Sequence, residues 1–188
     1  MGDPGLNIDH SLGNSFEDFF SAVDYFTGSR DPGLSIVEII NRSIDIFLKI
    51  PHSISCSIFI LDYKSFDLHH NSTKPYTYKK SVLKFYNTMV EKGVVGKALQ
   101  QTKVYRQNKD IKEGIDFPCY LVPLIGNNGV TGLILCILSD MPVEEEPGFE
   151  RICSLFAGFL AHSIENLSLN QNIRDNEDNL DQRIAHRT

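Results

Sequence analysis

Apolar residues recur at helical spacing from Phe16 onward, through Phe19, Phe20, Val23 and Phe26, with Glu17, Asp18 and Asp24 between them. That rhythm predicts an amphipathic helix over 15–27, with Ser15 as its N-cap and acids in its first turn. Residues 1–14 are rich in Gly, Asp and Asn, lack periodicity, and read as a flexible arm. A turn cluster, Gly28 to Gly33, ends the helix. Ile36, Val37, Ile40, Ile44, Phe47 and Leu48 then predict a second helix over about 34–49, stopped by Pro51. Alternation replaces the helical rhythm at 53–61, a strand with Ile54, Cys56, Ile58 and Ile60 on one face and Ser53, Ser55, Ser57 and Phe59 on the other. The turn Asp62 to Ser65 leads to a shorter strand over 66–70, and 71–79 reads as a polar loop.

Val82, Phe85, Tyr86 and Met89 predict a third helix, ending near Gly93, and a short fourth follows over 94–101. A short strand at 104–106 precedes a polar loop over 107–116. Strands at 119–124 and 130–138 are joined by Ile125-Gly126-Asn127-Asn128-Gly129, a hairpin connection. The last element is a long helix from about Phe149, with Ile152, Leu155, Phe156, Phe159, Ile164 and Leu167 as its buried stripe. Beyond it Ile173, Leu180 and Ile184 stand in a polar background, the pattern of a weak two-stranded coiled coil. The hairpins imply an antiparallel sheet with helices gathered on one face, an α+β fold rather than a doubly wound one.

Composition adds limits. The 188 residues are 41% apolar and 22% charged, enough to bury one core of ordinary size plus an appendage. No run reaches the ~18–20 uninterrupted apolar residues of a membrane span, and the N-terminus lacks a secretion-signal pattern. Cys56, Cys119, Cys136 and Cys153 form no Cys-x-x-Cys pair and read as reduced core residues of a cytosolic protein, with no metal site. The formal net charge of −6 argues against a nucleic-acid partner. It hides a split: 74–112 carries 10 basic and 2 acidic side chains, net +8, between acidic flanks.

Three segments together resemble a GAF domain, a small-molecule-sensing module of signalling proteins. They are Cys56-Ser57-Ile58-Phe59-Ile60-Leu61-Asp62, then Gly93-Val94-Val95-Gly96-Lys97-Ala98-Leu99, then Val122-Pro123-Leu124 with Gly129-Val130-Thr131-Gly132-Leu133-Ile134 and the closing helix through Ala161 to Asn166. The match spans about 34–170. It implies a GAF-like antiparallel sheet of about five to six strands, with N- and C-terminal helices on one face and pocket-covering helices and loops on the other. The domain then runs over 15–170, including the helix at 15–27, and 171–188 begins a coiled-coil linker. Gly93 and Gly96 suit close backbone approach at a helix start, and Gly132 a bulge or tight helix contact. The tail Leu180-Asp181-Gln182-Arg183-Ile184-Ala185-His186-Arg187-Thr188 is similar to the linker before the dimerisation helices of bacterial sensor histidine kinases. The expectation is a piece of a longer protein, cut before its output domain.

The resembled family includes bilin-, haem- and cyclic-nucleotide-binding members and sulfoxide reductases, each dependent on particular residues. No Cys precedes a His, so bilin attachment has no anchor. His69 and His70 offer a haem ligand only if one points inward. Asn108-Lys109 and Phe117 match the start of a cyclic-nucleotide signature, but no Asp-Glu pair follows. Cys119 stands where sulfoxide-reducing relatives place a thiol, without a resolving partner in the preceding loop. No hydrolytic nucleophile set or phosphate-binding glycine loop is visible. The reading is therefore non-catalytic, without cofactor.

In the resembled fold Ser55, Ser57 and Phe59 face the pocket, His70 lies at the strand end, and Val94 and Val95 begin a helix whose backbone N–H groups favour an anion. Among the cations of the basic segment, Arg106 and Lys109 are the expected anion contacts. A parallel homodimer is expected through Phe16, Phe19, Phe20, Val23, Phe26, Leu167, Ile173, Leu180 and Ile184. The function implied is binding of a small ligand, with an anion favoured, and relay through the C-terminal helix to a covalently linked output domain such as a histidine kinase. No membrane partner is expected. The rival readings are a ligand-free dimeriser and a thiol-dependent sulfoxide reductase using Cys119. A PAS domain is the rival fold.

Overall fold

The computed structural model describes residues 35–50, 52–110, 112, 117–139 and 146–185. The arm at 1–14 and the predicted helix at 15–27, with Phe16, Phe19, Phe20, Val23 and Phe26, lie outside them.

Helix α1 spans Ile36–Phe47. Ser35 caps it: its Oγ accepts from the Glu38 N–H at 3.3 Å, and Glu38 Oε2 accepts from the Ser35 N–H at 2.9 Å. This reciprocal pair satisfies two donors that a helix start otherwise leaves open. Strands β1 (Ser53–Asp62) and β2 (Asp67–Lys74) follow, then a single 3₁₀ turn at Tyr76–Tyr78. Helices α2 (Lys79–Glu91) and α3 (Val94–Gln101) come next, then β3 (Tyr105–Gln107), β4 (Cys119–Gly126) and β5 (Gly129–Leu138). Helix α4 runs without a break over Glu146–Ala185.

The five strands form one sheet in the order β2-β1-β5-β4-β3, every pairing antiparallel. Its first face carries the larger core. Ile40, Ile44 and Phe47 of α1 and Phe149, Ile152, Phe156 and Leu160 of α4 close over Cys56, Ile58, Tyr120, Val122, Ile134 and Cys136. Phe47 meets Phe156 edge-to-face at 5.0 Å. The second face is covered by Val82, Phe85 and Met89 of α2 and Val94, Val95 and Ala98 of α3, over Phe59, Leu121, Leu133 and Leu135. This is the α+β class that the hairpins imply, but the helices cover both faces of the sheet, as the family resemblance implies, instead of gathering on one.

Several local expectations need correction. The segment 71–74 is not loop: β2 continues to Lys74. Its apolar content is too low to announce a strand, because polar contacts hold this edge. Ser72 Oγ donates to Asn41 Oδ1 at 2.8 Å, and Lys74 Nζ pairs with Asp45 at 2.7 Å. Ile54 packs against the second core, not with Cys56 and Ile58. A register irregularity between Ser53 and Ser55 breaks the alternation there, and one extra residue reverses the face. Gly132 does flank a bulge, since Leu124 pairs with it and Ile125 with Val130, but its tight contact is with a strand and not a helix: a Cβ there would clash with the Phe59 carbonyl oxygen of the adjacent strand. Gly93 has φ +70°, the left-handed region that glycine adopts without strain, whereas a Cβ on Gly96 would meet nothing within 4 Å. So only the first of that pair is demanded by the backbone.

Helix α4 starts at Glu146, earlier than its apolar stripe, with Pro147 tolerated in its first turn. Its segment Pro147–Asn170 is long and apolar enough to cross a membrane, and here its apolar side covers the sheet. Leu167 is half-buried against the first core, whereas Leu155, Leu169 and Ile173 are exposed. Leu180 lies within α4 and so does Ile184.

Candidate functional site

The serines of β1 are buried, and the structure shows what they touch. Ser57 is opposite Thr73 in the β1–β2 ladder, and Phe59 is opposite His70. An irregularity between Ile58 and Phe59 adds one residue to β2, so His70 and Thr73 reach the same face although three apart. Thr73 Oγ1 then sits 2.9 Å from Ser57 Oγ and 2.7 Å from His70 Nε2. A hydroxyl has one proton to give and lone pairs to accept, so Thr73 serves both neighbours. Ser55 Oγ donates to the Lys74 carbonyl at 3.2 Å.

Aromatic groups wall this chain of hydrogen bonds. Tyr86 of α2 stacks on Phe59 with ring centroids 4.0 Å apart, and the His70 ring meets Phe59 edge-on at 5.5 Å. Burial, with the Lys79 charge nearby, holds the His70 imidazole below its ordinary range, so it is neutral at pH 7. Ser57 reaches His70 only through Thr73, so no serine here has a base bonded to it, as nucleophilic catalysis requires. Val94 and Val95 pack into the same core. The structure therefore gathers Ser55, Ser57, Phe59, His70, Val94 and Val95 on the second face.

Arg106 and Lys109 are not brought to that cluster. Arg106 is opposite Tyr120 in the β3–β4 ladder, and directly paired residues share a face. Tyr120 belongs to the first core, so Arg106 lies on the α1/α4 face. With Lys109, Asn108, Pro118, Leu138 and Ser139 it lines a cleft of about 260 Å³ at the sheet end near the start of α4. Lys109 is exposed, and the other cations of the basic segment are mostly solvated too: Lys80, Lys84, Lys92, Lys97, Lys103 and Lys112 are exposed.

All four cysteines are free and buried. Cys56 and Cys136 are cross-strand partners with sulfurs 3.8 Å apart, and burial pushes the Cys56 and Cys153 thiols well up. Cys119 lies 3.8 Å from the Met89 sulfur, and burial pushes its thiol up as well. A thiol in that state is a poor nucleophile. Among the described residues no group of three or more His, Cys, Asp or Glu is placed to hold a metal ion.

Four residues of this architecture are not flagged by the sequence reading. Thr73 and Tyr86 complete the polar cluster. Tyr120 lines the cleft, with its hydroxyl buried and without a hydrogen-bond partner. Glu165 is buried on α4, and its carboxylate accepts from the backbone N–H groups of Asn127 at 2.8 Å and Asn128 at 3.0 Å. Those two donors, first Asn128, hold the Glu165 carboxyl below its usual range. Gly126 makes room, since a Cβ there would collide with the Glu165 carboxylate. The available sequence signal is an acid four residues after Ala161 on an otherwise buried stripe.

No family model matches the sequence, and no curated protein matches it. Solved structures do match the fold. The GAF domain of a phosphoenolpyruvate-protein phosphotransferase from Coxiella burnetii superposes with a TM-score of 0.62 at 14% identity, covering 86% of this chain and 98% of that one. The GAF domain of the potassium sensor histidine kinase from Escherichia coli gives 0.55 at 15% identity, covering 84% and 98%. That of an Acinetobacter phosphoenolpyruvate-protein phosphotransferase gives 0.53 at 16%, covering 81% and 97%. With its five-stranded antiparallel sheet between α1/α4 and α2/α3, the chain has the GAF fold.

Proposed function

We propose that this chain is a non-catalytic regulatory domain of a cytoplasmic signalling protein. It binds a small ligand between the sheet and α2/α3, dimerises along α4, and relays occupancy through α4 to an output domain such as a histidine kinase. The observation that carries the reading is α4 itself. One uninterrupted helix covers the first face with its early turns and continues to Ala185. Leu155, Phe159, His162, Asn166, Leu169 and Ile173 recur along it at alternating steps of four and three, the spacing of a coiled-coil seam. Leu155, Leu169 and Ile173 on that seam are exposed. A polar helix extending from a body is marginal alone and gains stability from a partner. Relay then requires the ligand to bind one α4 arrangement better than the other.

Light scattering at micromolar concentration tests the dimer: a dimer is expected, reduced to monomer by Leu169→Asp with Ile173→Asp. A monomeric parent protein overturns that part. Mass spectrometry of small molecules released from natively purified protein tests the ligand.

A second reading, a ligand-free dimeriser, is favoured by the closure of the polar cluster. Ser57, Thr73 and His70 satisfy one another, and Tyr86 stacks on Phe59, leaving that floor filled by the protein's own side chains. Native protein that releases no small molecule, yet dimerises, decides for it. The thiol-reductase reading loses support because the Cys119 thiol is buried against Met89.

A further inference from the structure

We propose that the cleft lined by Arg106, Asn108, Lys109, Tyr120 and Ser139 is an anion subsite, taking a small molecule that carries a carboxylate or a phosphate. It stands apart from the sensor reading, since a domain that relays nothing can still hold this anion. It also lies on the opposite sheet face from the Ser57–Thr73–His70 cluster.

Two observations converge. The basic segment delivers two cations to one place: Arg106 is turned to the first face by its pairing with Tyr120, and Lys109 follows two residues after the strand. A guanidinium presents its donors as a planar fork that matches carboxylate and phosphate oxygens, and an ammonium adds a mobile charge. The lining is mixed, with Pro118 and Leu138 as apolar walls and Asn108 and Ser139 as polar groups. That combination fixes a ligand's orientation as well as its charge.

The second observation is Tyr120. Its residue is 1% exposed, it lines the cleft, and its hydroxyl has no partner. Buried polar groups are nearly always paired, so an orphan hydroxyl calls for a cause. Phe149 packs on its ring with centroids 4.8 Å apart, filling the side that α4 covers. The cleft is where an acceptor can come from. Burial pushes the Tyr120 phenol up, with Glu150 adding to the effect and Arg106 opposing it, so the group is a proton donor at neutral pH. An anionic oxygen is the partner that such a donor lacks.

Size sets the class. About 260 Å³ is below the ~300–1,000 Å³ of clefts for drug-sized ligands. The occupant is a small oxyanion-bearing molecule.

The test uses the full chain and two probes, inorganic phosphate and succinate, followed by backbone amide NMR with sodium chloride matched for ionic strength. With at least one probe, saturable shifts are expected at 106–109, 119–120 and 138–139. Tyr120→Phe and Lys109→Ala are each expected to weaken binding about tenfold, with circular dichroism unchanged, while Lys80→Ala leaves it intact. The probe that saturates distinguishes phosphate from carboxylate. Shifts that fail to saturate with both probes, or that spread over the exposed lysines and survive Tyr120→Phe, overturn the proposal. Neither result depends on dimerisation or on whether purified protein carries a ligand, so the sensor reading fails or holds separately.

Discussion

The two polar regions of this molecule are opposites. Under α2, the Ser57, Thr73 and His70 side chains bond to one another and are sealed by Phe59 and Tyr86. At the β3–β4 end, the Tyr120 hydroxyl is just as buried and bonds to nothing, beside two cations. The first region matches where a ligand is expected from family resemblance, yet its hydroxyls and imidazole already have partners inside the protein. The second has capacity left over. Unmet hydrogen bonding, more than polarity, marks where a molecule from outside gains most by binding.

The harshest way to break the comparison is at the strand both regions depend on. Gly132→Val places a side chain against the Phe59 carbonyl and is expected to cost about 3 kcal/mol or more, read as loss of soluble folded protein. Phe59→Ala acts on the α2 side alone. It removes a buried ring stacked on Tyr86, and an expected loss of about 3 kcal/mol in urea unfolding follows. Thr73→Val leaves both Ser57 and His70 without their partner and is expected to cost about 1–3 kcal/mol by the same measurement.

Glu165→Gln probes pH. The folded-state pKa of Glu165 is depressed, so its contribution is present above the unfolded value of about 4.3 and is lost as pH falls through the folded one. The melting temperature of the variant should lie below wild type at pH 7, and the gap should close in acid. A gap that persists at pH 2 contradicts this. Tyr120→Phe is the smallest and sharpest case. Deleting an orphan hydroxyl is expected to leave stability unchanged or raise it by up to about 1 kcal/mol in urea unfolding. A loss of 1 kcal/mol or more would mean that the hydroxyl is bonded after all, and the contrast between the regions would go with it.

Much of this was legible in the sequence because long periodic segments announce themselves. The alternation of β1 and the helical stripe of α4 place both cores, and the Asn127-Asn128 turn places the β4–β5 hairpin. What stayed hidden has physical reasons. The second half of β2 is an edge held by Asn41 and Asp45, contacts between segments about thirty residues apart that no local pattern encodes. Ile54 changed face through one irregular residue. The sequence alone puts Arg106 and Ser57 in one pocket because charge and segment order say nothing of which face a strand of three residues presents. Only its pairing with β4 decides that, and it brings Arg106 to Tyr120.

Glu165 has a mechanical consequence. Its grip on the Asn127–Asn128 turn, with Gly126 giving clearance, pins α4 to the hairpin at one point along the helix. Beyond that pin the helix runs on to Ala185 as about 30 Å of stiff rod. A rotation of about 10° around it sweeps the far end through about 5 Å, while the pinned turn stays nearly still. The carboxylate is then a fulcrum: it fixes where the rod pivots, and the length beyond it sets how far a small displacement on the sheet is magnified.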